Sequence, residues 1–170
     1  MNDMFNYCLN LQNIRFPQMP IQNVDNTSYM FNYCKKLINI DLSNINTENV
    51  TSMAGMFQHC ESLKSLDLSN FDNKNNTQLS CMFNNCYELN KIIFSEKFET
   101  KNVMFMPWMF YGCENLLKLD LTMFNIDKEI IRDMSQMFDG CELLEEIKIN
   151  EKNKNFFIPT NAKMFNKFKL

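Results

Sequence analysis

The chain has 170 residues, a formal net charge of −3, seven cysteines, one histidine and three glycines. That length supports one domain with its own core. The dispersed lysines exclude the concentrated basic face that nucleic-acid binding needs. Three glycines leave no glycine-rich phosphate cradle, and no run of about 20 apolar residues exists to span a bilayer as a helix.

A Met-Phe pair recurs at Met4-Phe5, Met30-Phe31, Met56-Phe57, Met82-Phe83, Met109-Phe110, Met137-Phe138 and Met164-Phe165, at spacings of 26, 26, 26, 27, 28 and 27 residues. In the first six copies a cysteine follows three residues after the phenylalanine: Cys8, Cys34, Cys60, Cys86, Cys113 and Cys141. A fixed period in this range is the mark of stacked repeats.

In chain order, Met1 already holds the position three before Met4, so the sequence begins in mid-repeat. The first strand turns Asn13, Arg15 and Pro17 outward and is followed by the interior Met19. Val24 leads into the second copy, whose strand presents Asn39, Asp41 and Ser43, with Ile45 behind it. The third copy, Met53 to Ser69, is the clearest. Met53, Met56, Phe57, Cys60 and Leu63 sit at i, i+3, i+4, i+7 and i+10, which predicts one face of a helix. Thr51 or Ser52 is its expected N-cap. Leu66 and Leu68 then alternate with Ser65, Asp67 and Ser69, the period of a half-buried strand. The unit reads as strand, loop, helix, loop, and the short return leg allows only parallel stacking of successive strands. One unit cannot bury its own apolar face, so its neighbours must complete the core.

The later copies vary. Asn76 stands where other repeats carry Val24, Val50, Val103, Ile131 and Ile158, and Leu79 replaces a methionine, so local fraying is expected near Asn73–Thr77. The fourth strand departs as Lys91-Ile92-Ile93-Phe94-Ser95. The fifth copy places Pro107, Trp108 and Tyr111 in its expected helix before a strand presenting Lys118, Asp120 and Thr122. The sixth strand reads Ile147-Lys148-Ile149, and the seventh copy has Phe168 in place of cysteine. The sequence also stops in mid-repeat, so the expectation is a fragment of a longer array whose ends stack on further repeats or on another copy.

The motif MFQHCESLKSLDLSNFD, preceded by NVTSM, resembles the 26-residue repeat of BspA-like leucine-rich-repeat surface proteins, which also occurs in mycoplasma-type lipoprotein arrays. The resemblance covers essentially all 170 residues. It implies an α/β fold: a right-handed leucine-rich-repeat solenoid of about six strand-helix coils, one domain over 1–170, with a parallel sheet on one face. It also implies a non-enzymatic module for protein–protein or protein–glycan interaction, cell-surface adhesion above all, with no catalytic residues to carry over. The N-terminus shows no basic region followed by an apolar stretch, so no signal peptide is visible and a cytoplasmic location stays open. The rival readings are an intracellular leucine-rich-repeat adaptor, which an F-box-like segment would mark, and a truncated gene fragment without independent function.

No catalytic, cofactor-binding or metal-ligating set is expected. The six periodic cysteines fall on the apolar face and read as buried thiols rather than a disulfide framework, while Cys81 lies outside that ladder. Met53, Met56 and Cys60 are soft metal ligands, but the same stripe includes phenylalanine and reads as core. His59 occupies a variable position, held elsewhere by Tyr7, Tyr33, Asn85, Gly112 and Gly140, and is expected to be exposed. The 26 asparagines suit tight turns, although an AT-rich genome gives the same bias and is the preferred reading.

Outward strand positions form columns. Arg15, Asp41, Asp67, Ile93, Asp120 and Lys148 make one, flanked by Ser43, Ser69, Ser95, Thr122 and by Asn39, Ser65, Lys91, Lys118. The candidate binding face is therefore Asn39, Asp41, Ser43, Ser65, Asp67, Ser69, Lys91, Ser95, Lys118, Asp120 and Thr122. It reads either as a solvated polar face, its aspartates bonded to nearby loop N–H groups, or as a ligand surface with one acidic patch.

Overall fold

The computed structural model describes residues 1–16 and 23–153. The expectations for Pro17, Met19, Ile158, Met164-Phe165 and Phe168 lie outside the described residues. Among the described residues six short strands follow one another: β1 (Asn13–Arg15), β2 (Asn39–Asp41), β3 (Ser65–Leu68), β4 (Lys91–Phe94), β5 (Lys118–Leu121) and β6 (Glu146–Ile149). A 3-10 turn, Glu151–Asn153, comes after them. They pair in parallel as three two-stranded sheets, β1-β2, β3-β4 and β5-β6. Leu66 is in register with Ile92, and Leu119 with Ile147. Leu66, Leu68, Leu119 and Leu121 point into the core, as the period-two pattern predicts.

The breaks between sheets coincide with like charges at equivalent positions. Asp41 and Asp67 flank the break between β2 and β3, and Lys91 and Lys118 flank the one between β4 and β5. Within the sheets the register sets Arg15 against Asp41 and Asp120 against Lys148, and Lys118 lies 3.0 Å from Glu146. Opposite charges support a cross-strand pair and like charges oppose it.

The helix half of the expected unit does not form. Among the described residues there is no α-helix, which overturns the α/β right-handed leucine-rich-repeat solenoid of strand-helix coils; the fold is nearly all β, with turns in place of helices. Backbone hydrogen bonding supplies the reason. The N–H groups of Tyr29, Phe31 and Tyr33 donate to the carbonyls of Ala54, Met56 and Gln58, at 2.8, 2.9 and 2.9 Å. The alternating N–H groups of Met30, Asn32 and Cys34 close tight turns onto Thr27, Tyr29 and Phe31. A helix sends every N–H four residues back along its own chain, whereas here every second one leaves for the next repeat.

Such a run needs left-handed residues, and they recur at two positions per repeat. These are Asp3 and Tyr7, Tyr29 and Tyr33, Gly55 and His59, Cys81 and Asn85, Trp108 and Gly112, and Gln136 and Gly140. All three glycines of the chain lie at these positions, where the absence of a Cβ removes the steric cost. A second line of parallel bridges, Asn26 to Ser52 to Gln78 to Phe105 to Asp133, joins successive repeats just before their turns.

The core is a ladder of identical side chains. Phe5, Phe31, Phe57, Phe83, Phe110 and Phe138 stack ring on ring, with centroids 5.5, 5.6, 6.0, 5.4 and 5.7 Å apart and interplanar angles of 15° or less. Stacked aromatic pairs contribute about 0.5–1.5 kcal/mol each beyond the area they bury. Beside them each buried thiol donates to a phenylalanine carbonyl one repeat earlier: Cys34 to Phe5, Cys60 to Phe31, Cys86 to Phe57, Cys113 to Phe83 and Cys141 to Phe110, at 3.0–3.2 Å. All seven cysteines are free thiols. Met4, in the first copy, is exposed, whereas Met30, Met56, Met82 and Met109 are fully buried.

Asn73 and Asn76 do not mark an open loop. The Asn76 N–H closes a turn on Asn73 at 2.8 Å, both side chains are buried, and Asn76 Oδ1 accepts the Gln78 N–H at 2.9 Å. The expected fraying is replaced by a formed turn.

Candidate functional site

Strands β2, β3 and β5 each lead into a turn that an aspartate side chain builds. Asp41 Oδ1 accepts the Ser43 N–H at 3.0 Å and the Ser43 hydroxyl at 2.6 Å. Asp67 Oδ1 accepts the Ser69 N–H at 2.9 Å. Asp120 Oδ1 accepts the Thr122 N–H at 3.1 Å and its hydroxyl at 2.7 Å. An aspartate bonded to the backbone two residues on makes an Asx turn. The bonds from Ser43 and Ser69 hold the carboxyls of Asp41 and Asp67 below the usual carboxylate range. The aspartate column is therefore structural in the first instance, with each carboxylate fixed in direction and still exposed to solvent.

Four of the expected face residues come together. Asn39, Asp41, Ser65 and Asp67 line a shallow, open depression of about 550 Å³ over β1 to β3, which Asn13, Ile14, Arg15 and Ile40 complete. Arg15 supplies the positive charge beside Asp41, and Asn39 Nδ2 donates to Asn13 Oδ1 at 3.3 Å. Ile14 and Ile40 also line it, half-buried and packed against the core. Arg15 already belongs to the outward column read from the sequence, whereas the two isoleucines join the lining only once the strand register is known. Ser43 and Ser69 are exposed just beyond the strand ends. Lys91, Lys118, Asp120 and Thr122 are exposed on later repeats, outside this depression.

Ser95 departs from the expectation. It is buried, because the chain turns inward after Phe94, and its hydroxyl oxygen accepts the Lys97 N–H at 3.0 Å. It does not belong to the exposed face.

On the turn side, Tyr7, Tyr33 and His59 stack with centroids 4.6 and 4.1 Å apart. His59 is half-buried rather than exposed; burial holds its imidazole below the ordinary histidine range, and its Nδ1 lies 3.9 Å from Glu61. Lys35 pairs with Glu61 at 2.8 Å and lies over the Tyr33 ring. Along the neighbouring column Trp108 Nε1 donates to Gln136 Oε1 at 2.7 Å. Tyr33 is stacked on both faces, by Tyr7 and by His59, while Tyr7 and Trp108 remain exposed. Cys81 is half-buried, and burial raises its thiol pKa, which leaves the reactive thiolate scarce at neutral pH.

Among the described residues no group of three or more His, Cys, Asp or Glu side chains is placed to hold a metal ion, and no helix is long and apolar enough to cross a membrane. No curated protein matches the chain, and no solved structure matches it. One family model does, described as "Mycoplasma protein of unknown function, DUF285", over residues 1–124 and again over 95–169. The two matches overlap and leave almost nothing of the sequence uncovered; the chain belongs to this Mycoplasma family, DUF285.

Proposed function

We propose that this chain is a non-enzymatic interaction module, displayed at a cell surface, that holds a protein or glycan partner against the β1 to β3 face. The observation that carries the reading is the depression bounded by Arg15, Asp41 and Asp67, which Ile14 and Ile40 also line. It combines one cation, two carboxylates locked in direction by their turns, and a strip of apolar surface. A few precisely placed polar groups beside apolar surface are the usual form of a recognition site. The similarity of the repeat to BspA-like surface proteins supports the same reading.

The test is binding of the fluorescently labelled chain to intact animal cells and to an array of immobilised glycans. Reversing charges in the depression, Arg15→Glu with Asp67→Lys, is expected to abolish the signal. Reversing Lys101, which lies away from the depression, is expected to leave it unchanged. Equal binding by the depression variant would place the contact surface elsewhere on the chain.

A further inference from the structure

The third repeat contains a polar site inside the core. Two equivalent positions in its neighbours carry a threonine and a valine, Thr47 with Val50 and Thr100 with Val103. The threonines lock consecutive repeats together. Thr47 Oγ1 donates to the Asp72 carbonyl at 3.0 Å and accepts the Asp72 N–H at 2.9 Å. Thr100 makes the same pair of bonds with Asn125, both at 2.9 Å.

In the third repeat both positions are asparagine. Asn73 is 1% exposed and Asn76 is 0% exposed. Asn76 Oδ1 is bonded to the Gln78 N–H, but Asn73 Nδ2, Asn73 Oδ1 and Asn76 Nδ2 have no protein partner. The residue equivalent to Asp72 in the next repeat is Glu99, and its N–H turns back to Lys97 at 2.9 Å instead of reaching Asn73. Three buried polar atoms on one tight turn are thus left over: two donors and one acceptor.

We propose that Asn73 and Asn76 bind a buried, long-lived water molecule that belongs to the fold of the third repeat. A water accepts from the two amide nitrogens and donates to Asn73 Oδ1, which matches the set of unpaired atoms. Three hydrogen bonds is also the usual complement of a buried water. An unpaired buried amide would otherwise lose its hydration without compensation. Asparagine thus takes the place of the threonine and valine by recruiting a solvent molecule, and the junction between the third and fourth repeats becomes wet where its neighbours are dry.

The experiment is water-selective NOE and ROE spectroscopy on the 15N-labelled full chain, observing the Asn73 and Asn76 side-chain amides. The expected result is cross-peaks from water to both amides with the NOE sign of a residence time longer than molecular tumbling. The double variant Asn73→Thr with Asn76→Val, which installs the residues of the neighbouring repeats, is expected to lose those cross-peaks and to remain folded by circular dichroism. Each single variant is expected to melt below the double, because one asparagine alone keeps unpaired atoms. Absence of long-lived water cross-peaks in the unmodified chain would overturn the proposal. So would their persistence near Thr77 and Gln78 in the folded double variant.

Discussion

The Cys60 thiol donates to the Phe31 carbonyl at 3.2 Å, across 29 residues of sequence. That carbonyl already accepts the Cys34 N–H of its own turn, so the thiol fills its second lone pair. Burial raises the thiol pKa of five cysteines: to about 11 at Cys34, to about 12 at Cys86 and Cys141, and well above the ordinary range at Cys60 and Cys113. A folded-state pKa above the unfolded one means that the unfolded chain loses its protons first as pH rises. Stability is therefore full below about pH 8.5, the unfolded thiol pKa, and falls above it. Each such thiol removes about 1.4 kcal/mol per pH unit until its own folded pKa is reached. Denaturant melts between pH 7 and 10.5 should show a steep alkaline loss that replacing Cys86 by alanine makes shallower. At neutral pH the buried thiols should react with a maleimide only on unfolding.

Gly140 has φ +78, and a Cβ built there would lie 3.1 Å from both the N and Cα of Gly112. Those are backbone atoms of the adjacent repeat and cannot rotate away. Gly140→Ala should cost about 1–3 kcal/mol from the left-handed conformation and the close contact together. Gly55→Ala meets the Tyr29 ring instead, a side chain that can shift, so it should cost less. Urea titration of the two variants would rank them.

Leu66 is buried in β3, in register with Ile92. Leu66→Asp places a carboxylate inside the core, where an unpaired charge is strongly disfavoured. The expected result is loss of cooperative unfolding in the central repeats at neutral pH, visible in far-ultraviolet circular dichroism. A variant that melts like the parent would show that this strand does not face the core.

Thr47→Val keeps the shape of a buried side chain and deletes both bonds to Asp72. The Asp72 N–H and carbonyl lose a partner together, at an expected cost of about 1–3 kcal/mol. A thermal melt would measure it. The same change at the exposed Thr51, whose hydroxyl makes one bond to the Asp25 carbonyl at 3.1 Å, should cost less than half as much.

The strands were legible because period two survives short length: Leu66 and Leu68 against Asp67 leave one reading. The turns were not, because i, i+3, i+4, i+7 spacing serves a chain of tight turns as well as it serves a helix. What separates the two is the conformation demanded between the apolar positions. Gly55, Gly112, Gly140 and Asn85 at the two left-handed sites carry that information, and residues of this type are poor choices for a helix interior. Asparagine usage also had a structural cause. Asn70 Nδ2 reaches the Leu42 and Ser43 carbonyls, Asn75 that of Glu48, Asn102 that of Lys74 and Asn115 that of Tyr87, each one repeat back. For the candidate face, the outward columns followed from alternation alone. The depression and the burial of Ser95 depend on how strands pair and where the chain bends after Phe94, which alternation does not encode.

The phenylalanine stack has a consequence for how this family can vary. Successive Met-Phe pairs are separated by 26 to 28 residues, yet ring spacing stays between 5.4 and 6.0 Å and does not follow that length. Contour length and axial rise are thus independent variables. An added residue is absorbed sideways, in the segment between strand and turn, and the pitch of the column is untouched. Lateral loops can therefore diversify in size and chemistry, repeat by repeat, on a spine whose metre never changes.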